Sequence, residues 1–355
     1  MYTPRLGSSV RWLSLMAAAG LGPLAGLAMA ASAAPPAPVA CHTRIGPGGT
    51  VVLDRDLTCG PLSVDQDEAL VLMGPVTVDL NGHTIKCVGG LRVGLQVLAN
   101  VKLTNGTITG CSVGLETDGV RNTLERLTVT GNGVGIRILG GVRNTLTSIL
   151  ADRNFVGFWM EEADGNTLSD STASNNTDAG FLLDDGQRNV LSGNRALGNG
   201  RGFVVGSGEL RTQLTGNVAE HNEENGFHVI FSESVVLKGN HAVSNGGDGF
   251  QILEGTRTQV IENDALGNGA NGFFVFASGN NSEDGNLLQR NRAVGNAMNG
   301  IAIDVTSIRN RVVGNTVTGH VAPFFDLLDM NPNCRRPANT WTGNTFVTKS
   351  PDCLR

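Results

Sequence analysis

The chain has 355 residues, a net charge of −6 and 5% aromatic residues. That balance lacks the basic footprint nucleic-acid binding needs and sets no nucleic-acid partner as the expectation. Its 49 glycines and sparse aromatics suit a turn-rich repeat better than a compact two-layer domain.

Residues 1–34 read as a signal peptide and the start of a linker. Arg5 and Arg11 precede an apolar stretch from Trp12 to Ala30, and Ala28-Met29-Ala30 and Ala31-Ser32-Ala33 both offer small-x-small cleavage sites. Pro23 and the Ala-Pro linker argue against an uncleaved anchor, and no later apolar run is long enough to span a bilayer. The expected location is secreted or periplasmic, with no transmembrane segment after cleavage. Six cysteines, all beyond the signal, fit an oxidising compartment. Residues 35–75 form an N-terminal capping segment in which Cys41 and Cys59 bracket the strand-like TVVLDRDL.

Residues 76–320 carry an internal repeat. Asn132, Asn154, Asn176, Asn199, Asn222, Asn245, Asn268 and Asn296 lie 22, 22, 23, 23, 23, 23 and 28 residues apart, a period that marks a stacked solenoid. Ten residues earlier, Asn122, Asn144, Asn166, Asn189, Thr212, Val235, Thr258 and Asn286 open each coil. An apolar column follows (Leu124 to Leu288), then a small one (Val129, Ala151 to Ala293), then Gly-Phe-x-apolar from Gly157-Phe158 to Gly272-Phe273. A second asparagine column begins at Asn194 and runs to Asn315. Three short alternating stretches per coil predict three strands per coil, three sheets and about ten coils of 22–24 residues. Asparagine suits the turns because it tolerates left-handed backbone and can bond locally. Stacked amides can also bond one another in a ladder. The Phe column is expected to stack internally, and the glycine before it to serve a tight bend.

Cys87 and Cys111 occupy corresponding places in successive coils, and Cys334 and Cys353 flank NTWTGNTF. Local pairing of all six is favoured by position; metal ligation is the alternative, without the C-x-x-C spacing that would support it. Residues 321–355 are a C-terminal coil and stapled cap, in which VAPFFDLLDMNP is expected to fold over the last coil.

The repeat N-x-L-x-G-N-x-A-x-x-N-G-x-x-G-F-x-V, nearly whole at Asn189–Val205, resembles the right-handed parallel β-helix proteins. The resemblance is to the carbohydrate-associated group that includes NosD-like maturation proteins and sugar-chain lyases and epimerases. It implies an all-β, single-stranded right-handed parallel β-helix. One such fold hosts many activities. The D-P-H-E motif of mannuronan epimerases is missing, and the polygalacturonase set is not met.

Outward residues must then carry function. Lys238 and His241, Glu262 and Asp264, and Arg290 and Arg292 fall on three successive coils. A uronate lyase needs a base and a cation beside the carboxylate: Lys238 or His241 for the first, Arg290 or Arg292 for the second. The plainer reading is a surface charge ladder. On the third sheet, Trp159, His228, Phe274 and Phe276 suit stacking on sugar rings or docking of a protein partner. Glu161, Glu162, Asp184 and Asp185 could together hold calcium; no other cofactor is evident. Three functions follow: a non-catalytic binder of glycans or a protein partner, a polysaccharide lyase or epimerase, and a NosD-like periplasmic accessory protein.

Overall fold

The computed structural model describes residues 38–61, 67–278, 285–320, 322–331 and 339–354; the signal-peptide reading and Cys334 lie outside them. Among the described residues every element is a strand or a turn, and every strand pairs in parallel with its counterpart in the next coil. Like residues therefore sit above one another: Leu168 pairs with Leu191, Ala173 with Ala196 and Phe181 with Phe203. A single-residue slip would turn every buried side chain outward, so the register is tightly set.

The third sheet stacks 14 strands, from Thr43–Ile45 to Lys349–Ser350. That makes about 13 turns rather than ten. The expected count fell short because the first coils lack the ladder asparagines and the last ones, with Asn339 and Asn344, follow at a longer spacing of 29 residues. The stretch Leu327–Asp329, expected to fold back as a cap, instead pairs with Ile301–Ile303 and continues the third sheet, while Thr340–Thr342 continues the first. Leu327 and Trp341 occupy interior columns there. Near the N-terminal end the first two strands of a coil run together, as Val101–Thr109 and Thr123–Thr130, so two of the three sheets merge locally. Disulfides join Cys41 to Cys59 and Cys87 to Cys111. Cys353 is also disulfide-bonded.

The interior divides its volume between sheets. Six phenylalanines, from Phe158 to Phe273, stack face to face with centroids 4.9, 4.5, 4.8, 4.7 and 4.8 Å apart. The alanine column occupies the second sheet, and aromatic bulk on one side is matched by a methyl on another. Glycine before each Phe is not there for an unusual backbone angle. A Cβ at Gly202 would lie 2.3 Å from the Gly226 carbonyl oxygen and 3.0 Å from the Ala219 Cβ. Close approach between coils, not a tight bend, demands glycine here.

The asparagines form continuous buried ladders. Asn217 is typical: its Oδ1 accepts from the Asn194 backbone N–H at 2.9 Å and from Asn194 Nδ2 at 3.1 Å. Its own Nδ2 donates to the Leu191 carbonyl and to Asn240 Oδ1, both at 3.0 Å. Each amide thus satisfies both of its hydrogens and both lone pairs while fully buried. The longest ladder ends at a buried pair. Asn296 faces His320 Nε2, and His320 Nδ1 lies 2.9 Å from Asp326 Oδ1. Burial is the largest influence on Asp326 and works upward. Hydrogen bonds from Val347, His320 and Thr348 together outweigh it and hold the carboxyl below the usual range.

Replacing one ladder residue leaves buried donors and acceptors without partners. Asn217→Ala should cost about 3 kcal/mol, read as a lowered thermal midpoint with a native far-ultraviolet spectrum. A loss under about 0.5 kcal/mol, the range of ordinary surface changes, would mean that the ladder contributes little.

Candidate functional site

The outer face of the third sheet carries one column in register: Glu116, Arg137, Trp159, Leu182, Val204, His228, Gln251 and Phe274. It opens with charge. Arg137 bridges Glu116 and Glu161 at 3.5 and 2.5 Å, and its guanidinium lies 4.9 Å over the Trp159 ring. The column then turns apolar. Trp159 Nε1 and His228 Nε2 are buried with no hydrogen-bond partner. Burial first, then the nearby Arg201 charge, drives the His228 pKa down to about 4, so its ring is neutral. Phe274 sits 5.9 Å from Phe276, which is 41% exposed.

The apolar tail covers this face only at its end. Phe324, Phe325, Leu328 and Met330 line a cavity with Phe274 and Met298, while Phe231 and Phe276 stay open to solvent. Beside the strip runs a fourth polar ladder. Asp248 Oδ1 accepts from the Asn271 N–H and side chain at 2.8 and 2.9 Å, and Gln251 donates to Asp248 Oδ2 at 2.8 Å. Desolvation raises the Asp248 carboxyl, and these bonds partly offset it.

The proposed calcium ligands divide. Glu161 is held by Arg137 and stacks next to Asp184, whose pKa is raised by burial and then by Asp185 and Glu161. Glu162 and Asp185 are exposed in the following turn. Among the described residues no group of three or more His, Cys, Asp or Glu is placed to hold a metal ion. A buried carboxylate nearby escaped the sequence reading. Glu209 fills the gap where Thr212 replaces the ladder asparagine; it accepts from the Gly186 N–H at 3.0 Å and from the Thr212 hydroxyl at 2.5 Å. Desolvation raises its pKa to about 7.

The Lys238–Arg292 residues share adjoining strands, and two of the four cationic candidates, His241 and Arg290, are partnered there by carboxylates. His241, Asp264 and Arg292 are in register. His241 Nδ1 lies 3.1 Å from Asp264, and Arg290 grips Glu262 at 2.9 and 2.6 Å. Lys238 and Arg292 are exposed and make no ion pair among the described residues.

A different basic feature went unread. The residue before each coil-opening position runs Arg121, Arg143, Gly165, Arg188, Arg211, Ser234 and Arg257 over seven successive coils, with Arg309 beyond. All eight have left-handed backbone, with φ between 53° and 63°. A side chain there costs about 1–2 kcal/mol, and the other left-handed bends use glycine in some coils, as at Gly216 and Gly239, and ordinary side chains in others, as at Arg153, His221 and Glu262. The arginine spacing was visible in the same alignment that revealed the asparagines.

The model of the right-handed β-helix region matches residues 90–240 and 211–346, well over half of the sequence. The chain belongs to the right-handed β-helix family. The A-module of the mannuronan C-5 epimerase AlgE6 of Azotobacter vinelandii is similar in structure, with a TM-score of 0.69 at 18% identity over 86% of this chain and 91% of that one. The AlgE4 A-module of the same organism gives 0.52 at 17%, over 84% and 86%. The Dettilon tailspike protein gives 0.54 at 15%, over 84% and 63%. At these identities the likeness of this β-helix to them is one of fold. Among curated proteins none matches the sequence.

Glu209 makes the stability of the β-helix depend on pH. It binds its proton more tightly folded than unfolded, so its contribution is complete below pH 4.5 and is lost as the pH rises through about 7. At about 1.4 kcal/mol per unit this amounts to roughly 3 kcal/mol. Glu209→Gln should match the parent's melting temperature near pH 4.5 and exceed it by several degrees near pH 8. Parallel melting curves across that range would remove Glu209 as the cause.

Proposed function

We propose that this β-helix protein is exported and binds a polysaccharide through the outer face of its third sheet. The observation that carries the reading is an outward column that turns apolar, with Trp159, Leu182, Val204 and Phe274 along it and exposed Phe276 beside Phe274. The apolar face of a sugar ring stacks on aromatic planes of this kind. The disulfides are compatible with export. The two A-modules similar in fold are named as epimerases of mannuronan, a polysaccharide, which supports the ligand class.

A catalytic reading through Lys238, His241, Arg290 and Arg292 finds less support, since Glu262 and Asp264 already pair with two of the four. Affinity electrophoresis of the mature protein in neutral and uronate polysaccharides tests both. Trp159→Ala and Phe274→Ala should each weaken retention roughly five- to tenfold, the scale of one lost aromatic contact. Unchanged retention in both variants would sink the third-sheet reading. Growth of the ultraviolet absorbance of an unsaturated uronate product would establish a lyase instead.

A further inference from the structure

We infer that the third-sheet strip selects an uncharged polysaccharide and turns polyuronates away, an inference that rests on the polysaccharide reading of that face. The cations of the strip are already spent. Between Glu116 and Phe274 its strands carry two arginines, Arg137 and Arg201. Arg137 is held by Glu116 and Glu161, and Arg201 donates to Asp178 through Nε and Nη2. His228, the other basic side chain on these strands, is neutral because burial lowers its pKa to about 4.

Carboxylates, by contrast, are in surplus on both margins. The bend after the third strand carries Glu162, Asp185 and Glu254, and the bend before it carries Glu223 and Glu224. All five are exposed and make no ion pair among the described residues. Arg188 and Arg257 come three residues after Asp185 and Glu254, past that acidic margin. At the edge of the strip itself, Asp184 stacks in register with Glu161 of the neighbouring coil.

These positions decide which ligand charge is tolerated. The strand Ala179–Asp184 has six residues and spans roughly 18 Å, so a polymer along its middle runs about 9 Å from either margin. That is within about one screening length at 0.1 M salt, so the margins repel a polyanion. Directly beneath the polymer lie Leu182 and Val204, over which any charged group, carboxylate or ammonium, loses water without gaining a partner. An ionised carboxyl accepts hydrogen bonds and donates none. Asp184 therefore suits a sugar hydroxyl and meets a uronate as a second acceptor of like charge. An uncharged pyranose ring, with its apolar face and hydroxyl rim, fits both the centre and the edge of the strip.

The test compares polymers that differ in charge: alginate and polygalacturonate against their carboxyl-reduced forms, and deacetylated against acetylated chitin oligosaccharides, all with EDTA. The quantity read is the part of the binding that Trp159→Ala removes from the mature protein. At about 0.1 M salt that part should be about tenfold stronger for the reduced polymers than for the native ones, and added salt should shrink the difference. Glu162→Gln/Asp185→Asn/Glu254→Gln should narrow the gap several-fold by strengthening the native polymers. Native polymers bound as well as reduced ones, a gap unchanged in the triple variant, or tighter binding of the deacetylated oligosaccharides would each overturn the inference and leave the polysaccharide reading in place. Binding of no polymer, or binding that Trp159→Ala leaves untouched, would overturn that reading and the inference with it.

Discussion

Everything in this molecule depends on the buried amide hydrogen bond between one coil and the next. A parallel stack has no local hairpin to fix its register. The asparagine side chain supplies a fixed point, because a slip by one residue would leave its buried amide unpaired. Its oxygen takes a backbone N–H from the preceding coil and its nitrogen reaches a backbone carbonyl, as at Asn217. A ladder of fully satisfied amides in a low-dielectric interior is worth keeping only when every member is present.

The ends and gaps of the ladders are therefore where chemistry becomes unusual. Glu209 enters where Thr212 interrupts one ladder and pays with a carboxyl that titrates near neutrality. His320 and Asp326 close another, both almost wholly buried. Asp248 replaces an asparagine in a third, beside the apolar strip. These groups owe their properties to architecture, and a raised carboxyl pKa in such a place is not by itself a catalytic signal.

Only the outer surface is open to a ligand, because the inside is filled. The third sheet offers aromatic area and unpartnered ring nitrogens; the bend beside it offers a row of guanidinium groups. In the Lys238–Arg292 cluster, His241 and Arg290 pair with carboxylates on neighbouring coils once the strands are in register, while Lys238 and Arg292 make no ion pair among the described residues. Exposed pairs of that kind contribute little to stability.

The solenoid, its three strands per coil, the inward columns and two disulfides were legible in sequence, because a parallel stack repeats each local environment at a fixed interval. The number of turns was not, since the coils near Thr43 lack the asparagine markers and the last coil carries them, at Asn339 and Asn344, 29 residues after their partners. Nor was the reason for Gly202 and its equivalents, which is a contact with a carbonyl one coil away. Burial on the third-sheet face also needed the tertiary structure. Val204 is covered and Phe276 is open although both sit at outward strand positions, because neighbouring coils and the tail, not the strand's own alternation, decide what water reaches. Sequence periodicity determines which way a side chain points; only the packed stack decides what it meets there.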